Sequence, residues 1–299
     1  MGSLNDPNFW SSASASAGTL QTDGSLNYVL LDKSYRMMPL IRKSETTFLD
    51  FIARDGDAKK CSVIVNGNFY GLNRSGKISV LRGNPDDPDD TEIQGRVIRN
   101  GAIAAGDSRP QSFWFGQISA FTGDSWHWYY VAEQGDPPVN QSTFAAIGGV
   151  GPLIAGASKY GTCSGQTLNY GVGNRYKPGA PPWIFEPTEG EPPKNAKPYL
   201  IQRNNNTFKS AESHPIETGK TILAYCSWQR MLLVAVQENG ATPGVTYSSL
   251  ATALDQRGFD AAVFLDGSDS ATLVVGGKVI VKPGDRKNNS IDVGVGFYR

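Results

Sequence analysis

The hydrophobic residues of this chain occur mainly in short runs of strand length. Residues 26–32, 61–71 and 261–266 carry apolar runs bounded by polar or small residues, which predicts strands. Residues 109–135 are rich in aromatic side chains and predict a β-hairpin or meander. The pattern therefore indicates a fold built largely from strands.

The last third of the chain has the most regular pattern. Residues 220–226 and 230–237 predict one hairpin, and residues 271–283 predict another that turns at the glycine pair 276–277. Residues 290–298 alternate between apolar and other positions, which predicts a strand that closes the sheet.

One segment has the spacing of a helix, at residues 246–258. Thr246 is placed to cap its start and Gly258 follows its last turn. Three side chains are predicted to face the core from this helix: Leu250, Ala253 and Leu254. Because strands outnumber helices, the predicted fold class is α+β, with a mixed, mostly antiparallel sheet and a few helices.

The length and composition favour a single large domain. The chain has 299 residues, which is long for one domain and short for two. Residues 1–24 are rich in Ser, Ala and Gly and are predicted to be a flexible leader, so the domain is placed at residues 25–299. The Pro-rich stretch at about 177–199 suits neither a regular helix nor a central strand and is predicted to be a surface insertion.

Charge and cysteine content narrow the classes of partner. Lys plus Arg and Asp plus Glu both number 28, so the net charge gives no reason to expect nucleic acid or an anionic membrane as partner. No apolar run approaches the roughly 20 residues of a membrane span. The three cysteines have no CxxC spacing, so neither a disulfide framework nor a zinc site is predicted.

The amino-terminal residues lack the basic and apolar regions of a Sec signal peptide. The predicted location is therefore the cytoplasm, or outside the cell by a route without a Sec signal. The sequence carries no prediction of the oligomeric state.

The segment VFLDGSDSATLVV, residues 263–275, places two carboxyl groups between two apolar runs. Asp266 follows a predicted buried strand, and Gly267 allows the chain to turn there. Sites are commonly built at such strand ends. The alternative is that Asp266 and Ser268 only cap a turn through hydrogen bonds to the backbone.

Five motifs in a fixed order give this chain a resemblance to a known family. They are VNGNFY (65–70), GPLIAG (151–156), KTILAY (220–225), GVTYSSLATALDQRGFDAAVFLDGSDSATLVV (244–275) and DRKNNSIDVGVGF (285–297). This order resembles the phosphodiester glycosidase family, whose motifs are roughly V-N-G-G-F-F, R-T-A-I-G, G-x-T-x-x-E-L-A, N-L-D-G-G-G-S-T-T and R-x-V-x-N. The resemblance covers about residues 60–298 and is strongest after residue 220.

The resemblance implies an enzyme that hydrolyses the bond between a sugar's anomeric carbon and a phosphate oxygen. Its catalytic candidates are the two acids and two bases at motif positions: Asp266, Asp269, Lys220 and Arg286. Lys220 and Arg286 would stabilise the departing phosphate, and Asp266 would act as nucleophile, activate water or stabilise the anomeric cation. The substrate-binding candidates are Asn66, Asn68, Gly267, Ser268, Ser270, His214 and, on composition alone, Arg109.

Departures from the family pattern leave alternatives open. Two family glycines are replaced by Ser268 and Asp269, and a family arginine is replaced by Lys220. A second carboxylate at Asp269 makes a divalent cation, Ca²⁺ or Mg²⁺, a candidate ligand, although the reaction requires no cofactor. One alternative is a module that binds a glycan or phosphate without turnover. Another is a hydrolase retargeted to a cell-wall polymer or a nucleotide conjugate, as in a bacterial or phage effector.

Overall fold

A computed structural model describes most of the chain outside its Pro-rich region. The described residues are 4, 6, 9–10, 17–42, 46–67, 70–72, 91–93, 95–108, 113–122, 125–156, 158–159, 199–203, 207–210 and 216–299. Four features named above lie outside them: Asn68, Arg109, His214 and residues 177–198 of the Pro-rich insertion.

Strands dominate the described residues. The strands of the first half are β1 (Leu20–Asp23), β2 (Leu26–Leu31), β3 (Arg36–Ile41), β4 (Val63–Asn66), β5 (Tyr70–Leu72), β6 (Thr91–Ile93), β7 (Val97–Arg99), β8 (Ala102–Ala105), β9 (Phe113–Thr122), β10 (Ser125–Gln134) and β11 (Thr143–Ala155). Those of the second half are β12 (Ser158–Lys159), β13 (Tyr199–Arg203), β14 (Thr207–Ser210), β15 (Lys220–Cys226), β16 (Met231–Gln237), β17 (Ala261–Phe264), β18 (Leu273–Val275), β19 (Lys278–Val281) and β20 (Val293–Tyr298). The helices are α1 (Phe48–Arg54), α2 (Tyr247–Gln256) and α3 (Asp285–Asn288), with 3₁₀ turns at Ala58–Lys60 and Ser268–Ser270.

The strands form two large sheets. The main sheet has the order β1-β2-β16-β15-β17-β11-β7-β8, with β9 and β12 paired to β11 and β10 paired to β9. The second sheet has the order β19-β18-β4-β20-β3. Every strand pair in the described part of the chain is antiparallel. The described fold is thus predominantly β with a few helices, as predicted, but its sheets are antiparallel and not mixed.

The two sheets enclose the core. Val63 and Val65 of β4 belong to the same buried cluster as the strands of the main sheet, whereas Ile64 between them belongs to a second cluster with Phe48 and Ile52 of α1. This alternation follows from the two-residue period of a strand. The layers are therefore the main sheet, the second sheet and then α1.

Strand β20 occupies a central position. It lies between β4 and β3 in the second sheet, rather than closing the main sheet as predicted. Side chains at Gly294 and Gly296 would collide with Phe48 and with the Cys61 thiol, respectively. The glycines therefore let helix α1 and its connection approach the sheet, and both faces of β20 are buried.

The hairpins and the helix predicted in the last third are confirmed. β15 pairs with β16, and β18 pairs with β19 across the glycine turn. Helix α2 begins after Thr246, whose hydroxyl accepts a hydrogen bond from the Ser249 amide. Leu250, Ala253 and Leu254 are buried, as predicted.

The predicted leader differs from the structure. β1 pairs with β2 at one edge of the main sheet, and Leu4 and Phe9 are buried in the core. Residue 24 lies in the turn between these two strands. The described part of 1–24 therefore belongs to the fold, because its few apolar residues pack against the sheet although its average composition is that of a linker.

Candidate active site

The turn after β17 is held by two other parts of the chain. β17 lies between β15 and β11, so the chain leaves the middle of the main sheet at Leu265. The Leu265 amide donates to the Thr221 carbonyl at 2.9 Å, and the Ser268 amide donates to the Gly219 carbonyl at 2.7 Å. The Asp266 amide donates to the Gly67 carbonyl at 3.3 Å. Backbone hydrogen bonds thus place Asp266 between the ends of β4 and β15.

Asn66 joins these parts through its side chain. Its Nδ2 donates to the Asp266 carbonyl at 2.6 Å. Its Oδ1 accepts from the Thr221 hydroxyl at 2.7 Å and from the Thr272 amide at 3.0 Å. Because Asn66 is 1% exposed and both ends of its amide are engaged, it positions Asp266 and does not face a sugar hydroxyl as predicted.

Two glycines allow the close approach of the β15 and β17 segments. A side chain at Gly219 would collide with the Ser268 carbonyl, and one at Gly267 would collide with the Gly219 carbonyl. Gly267 is therefore a structural requirement of the turn. Ser268 is exposed at the surface with a φ of 57°, a conformation that a glycine would adopt with less strain.

The Asp266 carboxyl lies in an environment that disfavours its charge. The side chain is half-buried, and desolvation raises its pKa above the usual range. The Asp269 carboxylate also raises this pKa, while Lys287, the Ser270 hydroxyl and the Gly267 amide lower it. Desolvation is the largest of these effects, so the carboxyl keeps its proton to higher pH than an exposed aspartate.

Ser270 and Asp269 flank Asp266 in the 3₁₀ turn. The Ser270 hydroxyl is fully buried and forms no hydrogen bond of good geometry among the described residues, but it lies near enough to Asp266 to lower its pKa. Asp269 is half-buried, and its carbonyl accepts from the Gly284 amide at 2.8 Å. Asp266, Asp269 and Ser270 thus lie together in the turn after β17.

Helix α3 brings a lysine to the site that the sequence reasoning missed. Lys287 is half-buried and is the cation that acts most strongly on the Asp266 carboxyl, whereas its neighbour Arg286 is exposed. The family motif has no fixed residue after its arginine, so the motif drew attention to Arg286. The signal for Lys287 was its position in the same short helix, one residue further along the chain.

The Lys220 ammonium is bound by backbone carbonyl groups. Lys220 is fully buried, and its ammonium donates to the carbonyls of Ile216 at 3.0 Å and Thr218 at 2.6 Å. The ring centroid of Tyr247 lies 5.5 Å from its Nζ. Gln237 donates to the same two carbonyls, at 2.7 Å and 2.9 Å. Lys220 therefore anchors the segment before β15, and the prediction that it contacts the departing phosphate is not supported by its orientation.

Burial changes the ionisation of Lys220. Desolvation lowers its pKa to about 8, against a partial opposing effect of Glu217. Because the folded state then releases this proton more readily than the unfolded state, the lysine adds stability as the pH rises above about 8. The full effect is about 3 kcal/mol.

We expect Lys220→Met to remove this alkaline gain. The free energy of unfolding of the variant, minus that of the wild type, should fall by about 2 kcal/mol between pH 7 and pH 9.5. Urea unfolding at several pH values measures it, and the difference cancels the ionisation of tyrosines and cysteines common to both proteins. Lys278→Met, which changes an exposed lysine of β19, is the control. If the free energy of unfolding depends on pH in the same way for wild type and Lys220→Met, the lowered pKa of Lys220 is contradicted.

The described residues contain no ready metal centre. Within the ranges given above, no group of three or more His, Cys, Asp or Glu side chains is placed to hold a metal ion. Asp266 and Asp269 supply two carboxyl groups near one buried hydroxyl, which is fewer protein ligands than Ca²⁺ usually takes.

Cys61 and Cys226 are buried, and desolvation raises their pKa values to about 12 and about 11, so neither is a reactive thiolate.

None of the helices in the described part of the chain has the length and hydropathy needed to span a bilayer.

The comparison with solved structures finds matches at low identity and with TM-scores below 0.5. One is a hypothetical protein from Synechocystis, at 11% identity and a TM-score of 0.41, covering 93% of this chain and 60% of that chain. Another is the catalytic domain of zebrafish N-acetylglucosamine-1-phosphodiester alpha-N-acetylglucosaminidase, auto-inhibited by its pro-peptide, at 13% identity and a TM-score of 0.46, covering 94% and 81%. A third is a putative exported protein from Burkholderia pseudomallei, at 12% identity and a TM-score of 0.49, covering 92% and 74%. This chain thus spans 60% of the length of the Synechocystis protein.

The comparison with sequence families supports the motif reading. No curated protein matches the sequence. The family model described as phosphodiester glycosidase matches residues 177–298. This range contains the motifs that begin at Lys220, Gly244 and Asp285, whereas the motifs at 65–70 and 151–156 precede it. The resemblance inferred from the motifs is therefore confirmed: residues 177–298 of this chain match the phosphodiester glycosidase family.

Proposed function

We propose that this protein is a hydrolase that cleaves the bond between the anomeric carbon of a sugar and the oxygen of a phosphodiester. The observation that carries the proposal is the Asp266 carboxyl, desolvated at the end of a central strand with Lys287 and Ser270 beside it. The family match over residues 177–298 supports this class of reaction. Strongly perturbed carboxyl groups next to a specific charge partner are common at catalytic sites.

The chemistry suits a carboxylate and a cation. A phosphate monoester leaves far more readily than an alkoxide, so the reaction needs little acid assistance. In the proposed step, ionised Asp266 removes a proton from water as the water oxygen attacks the anomeric carbon. The bond between that carbon and the phosphate oxygen breaks, and its electron pair stays on the phosphate. Lys287 stabilises the negative charge that develops there.

The raised pKa of Asp266 fits the role of general base. Base strength rises with pKa, and catalysis is favoured when that pKa approaches the working pH. Turnover should therefore increase as the pH rises through the raised pKa of Asp266, because only the ionised carboxylate accepts the proton.

The decisive experiment follows the position of bond cleavage. Wild type and Asp266→Asn are incubated in ¹⁸O-labelled water with UDP-N-acetylglucosamine and with a methyl diester of a sugar 1-phosphate. Mass spectrometry should find the label in the free sugar and not in the phosphate ester, with wild type only. Label in the phosphate would show cleavage of the P–O bond and refute the proposed reaction.

Lys287→Gln tests the proposed cation. We expect a ten- to hundredfold loss in kcat/KM, roughly the range for removing one charged group that stabilises the transition state. Arg286→Gln, which changes the neighbouring exposed residue, should cost much less. Kinetics with the best substrate of the panel provide both values. Equal losses in kcat/KM, or a larger loss for Arg286→Gln, would indicate that Arg286 stabilises the departing phosphate.

A binding module without turnover is the second candidate. The observation that favours it is that Ser268 and Asp269 occupy two positions where the family motif has glycine. Both residues lie in the 3₁₀ turn that follows Asp266, where a side chain takes more room than the glycine of the motif. A folded protein that binds a sugar phosphate methyl diester without releasing sugar would support this candidate.

A further inference from the structure

Asp269 adds a negative charge next to the proposed phosphate position. It stands where the family motif has a glycine, so the motif itself supplies no charge at this position. The residue is half-buried in the turn that begins two residues after Asp266. Charges in such a position are screened by water less than charges on an open surface.

The backbone around Asp269 limits where its side chain lies. Its carbonyl accepts from the Gly284 amide at 2.8 Å, which ties the turn to the start of α3. A side chain at Gly284 would lie 3.2 Å from the Asp269 Cβ and 3.6 Å from its Oδ2, so the carboxylate packs against this glycine. Asp269 is thus held on the same side of Asp266 as α3, the helix that carries Lys287. Its effect on the pKa of Asp266 agrees with this placement.

With Asp266 ionised, the described part of the site carries two negative charges, on Asp266 and Asp269, and one positive charge, on Lys287. Among the described residues, the charged groups acting most strongly on Asp266 are one cation, Lys287, and one anion, Asp269. The ammonium of Lys220 is turned towards the Ile216 and Thr218 carbonyls. Lys287 attracts a ligand with one negative charge, whereas a second negative charge on the ligand meets the repulsion of Asp269. No other cation of the described residues acts on Asp266 as strongly as Lys287.

We propose that Asp269 is a specificity-determining residue that makes the site accept phosphodiesters, with one negative charge, and reject phosphate monoesters, with two. This inference rests on the proposed function, since it takes the phosphate to lie beside Asp266 and Lys287. The cleavage step turns a diester into a monoester, so the same repulsion promotes release of the phosphate product.

Two small probes test the proposal without reference to the sugar. Dimethyl phosphate has one negative charge at pH 8 and at pH 5, whereas methyl phosphate has two at pH 8 and about one at pH 5, because the second pKa of a phosphate monoester is about 6. Neither probe contains a glycosidic bond, so the wild-type protein can be used. Binding is measured by ³¹P NMR titration.

We expect wild type to bind dimethyl phosphate at least about tenfold more tightly than methyl phosphate at pH 8, and to lose most of this preference at pH 5. Asp269→Asn and Asp269→Gly should reduce the preference at pH 8 several-fold. Asp285→Asn removes the same charge from a residue whose side chain is 93% exposed and should leave the preference unchanged. Circular dichroism establishes that each variant is folded.

The outcomes separate this inference from the proposed function. If wild type binds both probes equally, or if Asp269→Asn keeps the full preference, Asp269 does not select diesters over monoesters. The proposed hydrolase activity is not contradicted by either result. If neither probe binds to wild type, the site holds no phosphate, and the proposed function fails together with the inference.

Discussion

Asp266→Asn should abolish detectable hydrolysis, with a loss of about 10³-fold or more, and should leave the fold intact. The loss follows from the proposed role of the carboxylate as general base, since an amide cannot accept the proton of the attacking water. The fold should survive because the contacts that place residue 266 go through its backbone, to Gly67 and to Asn66. The new amide is nearly the same size as the carboxyl.

The same substitution should raise the stability at neutral pH. Asp266 has a raised pKa in the folded state, so the folded protein binds this proton more tightly than the unfolded chain. The stability that this bound proton contributes is complete below about pH 4, the pKa of an aspartate in the unfolded chain. It is lost as the pH rises through the pKa of Asp266 in the folded protein. Asparagine has no proton to lose, so the stability gain of the variant over wild type should grow across this pH range.

Activity and thermal unfolding should therefore change in opposite directions. The melting temperature of Asp266→Asn is compared with that of wild type between pH 4 and pH 8, beside turnover of the best substrate. Asp285→Asn, in the exposed first turn of α3, is the matched control and should change neither quantity much. A variant with full turnover would leave Asp266 as a turn residue, and a lower melting temperature at pH 8 would contradict the desolvated carboxyl.

Asn66→Ala should destabilise the protein by about 3–5 kcal/mol. The substitution leaves three buried groups without a partner: the Asp266 carbonyl, the Thr221 hydroxyl and the Thr272 amide. Each such group costs about 1–3 kcal/mol when water does not reach it. Because the loss falls on the segments that hold Asp266, turnover should decline even at temperatures where the variant is folded.

Urea unfolding measures this loss, and Asn27→Ala is the control. The Asn27 side chain takes part in one exposed hydrogen bond, with Thr22 at 3.4 Å, so its removal should change the stability by less than about 0.5 kcal/mol. Similar unfolding midpoints for the two variants would show that the Asn66 network contributes little. In that case a direct contact of Asn66 with the substrate would need to be reconsidered.

Several features of this protein follow from local chemistry and were predictable from sequence. The Thr246 cap and the apolar spacing of α2 act within one or two turns of chain, and the hairpin of β18 and β19 depends on two adjacent glycines. The position of Asp266 at the end of a buried strand was also predictable, because the apolar run directly before it is local in sequence. The alternation of Val63, Ile64 and Val65 between two clusters is also a local property of a strand.

The arrangement of the candidate site depended on contacts between distant parts of the chain. Asn66 and Asp266 are 200 residues apart in sequence, so nothing local indicated that the amide of one would hold the backbone of the other. The local sequence does not show which of Lys220 and Lys287 lies near Asp266. In the structure, the buried Lys220 ammonium donates to backbone carbonyls. Helix α3 brings Lys287 to Asp266. The sequence alone determined which residues are chemically suited to a phosphate ester. Only the tertiary structure decided which of them lie together, because the direction of a side chain is set by packing against segments far away in sequence.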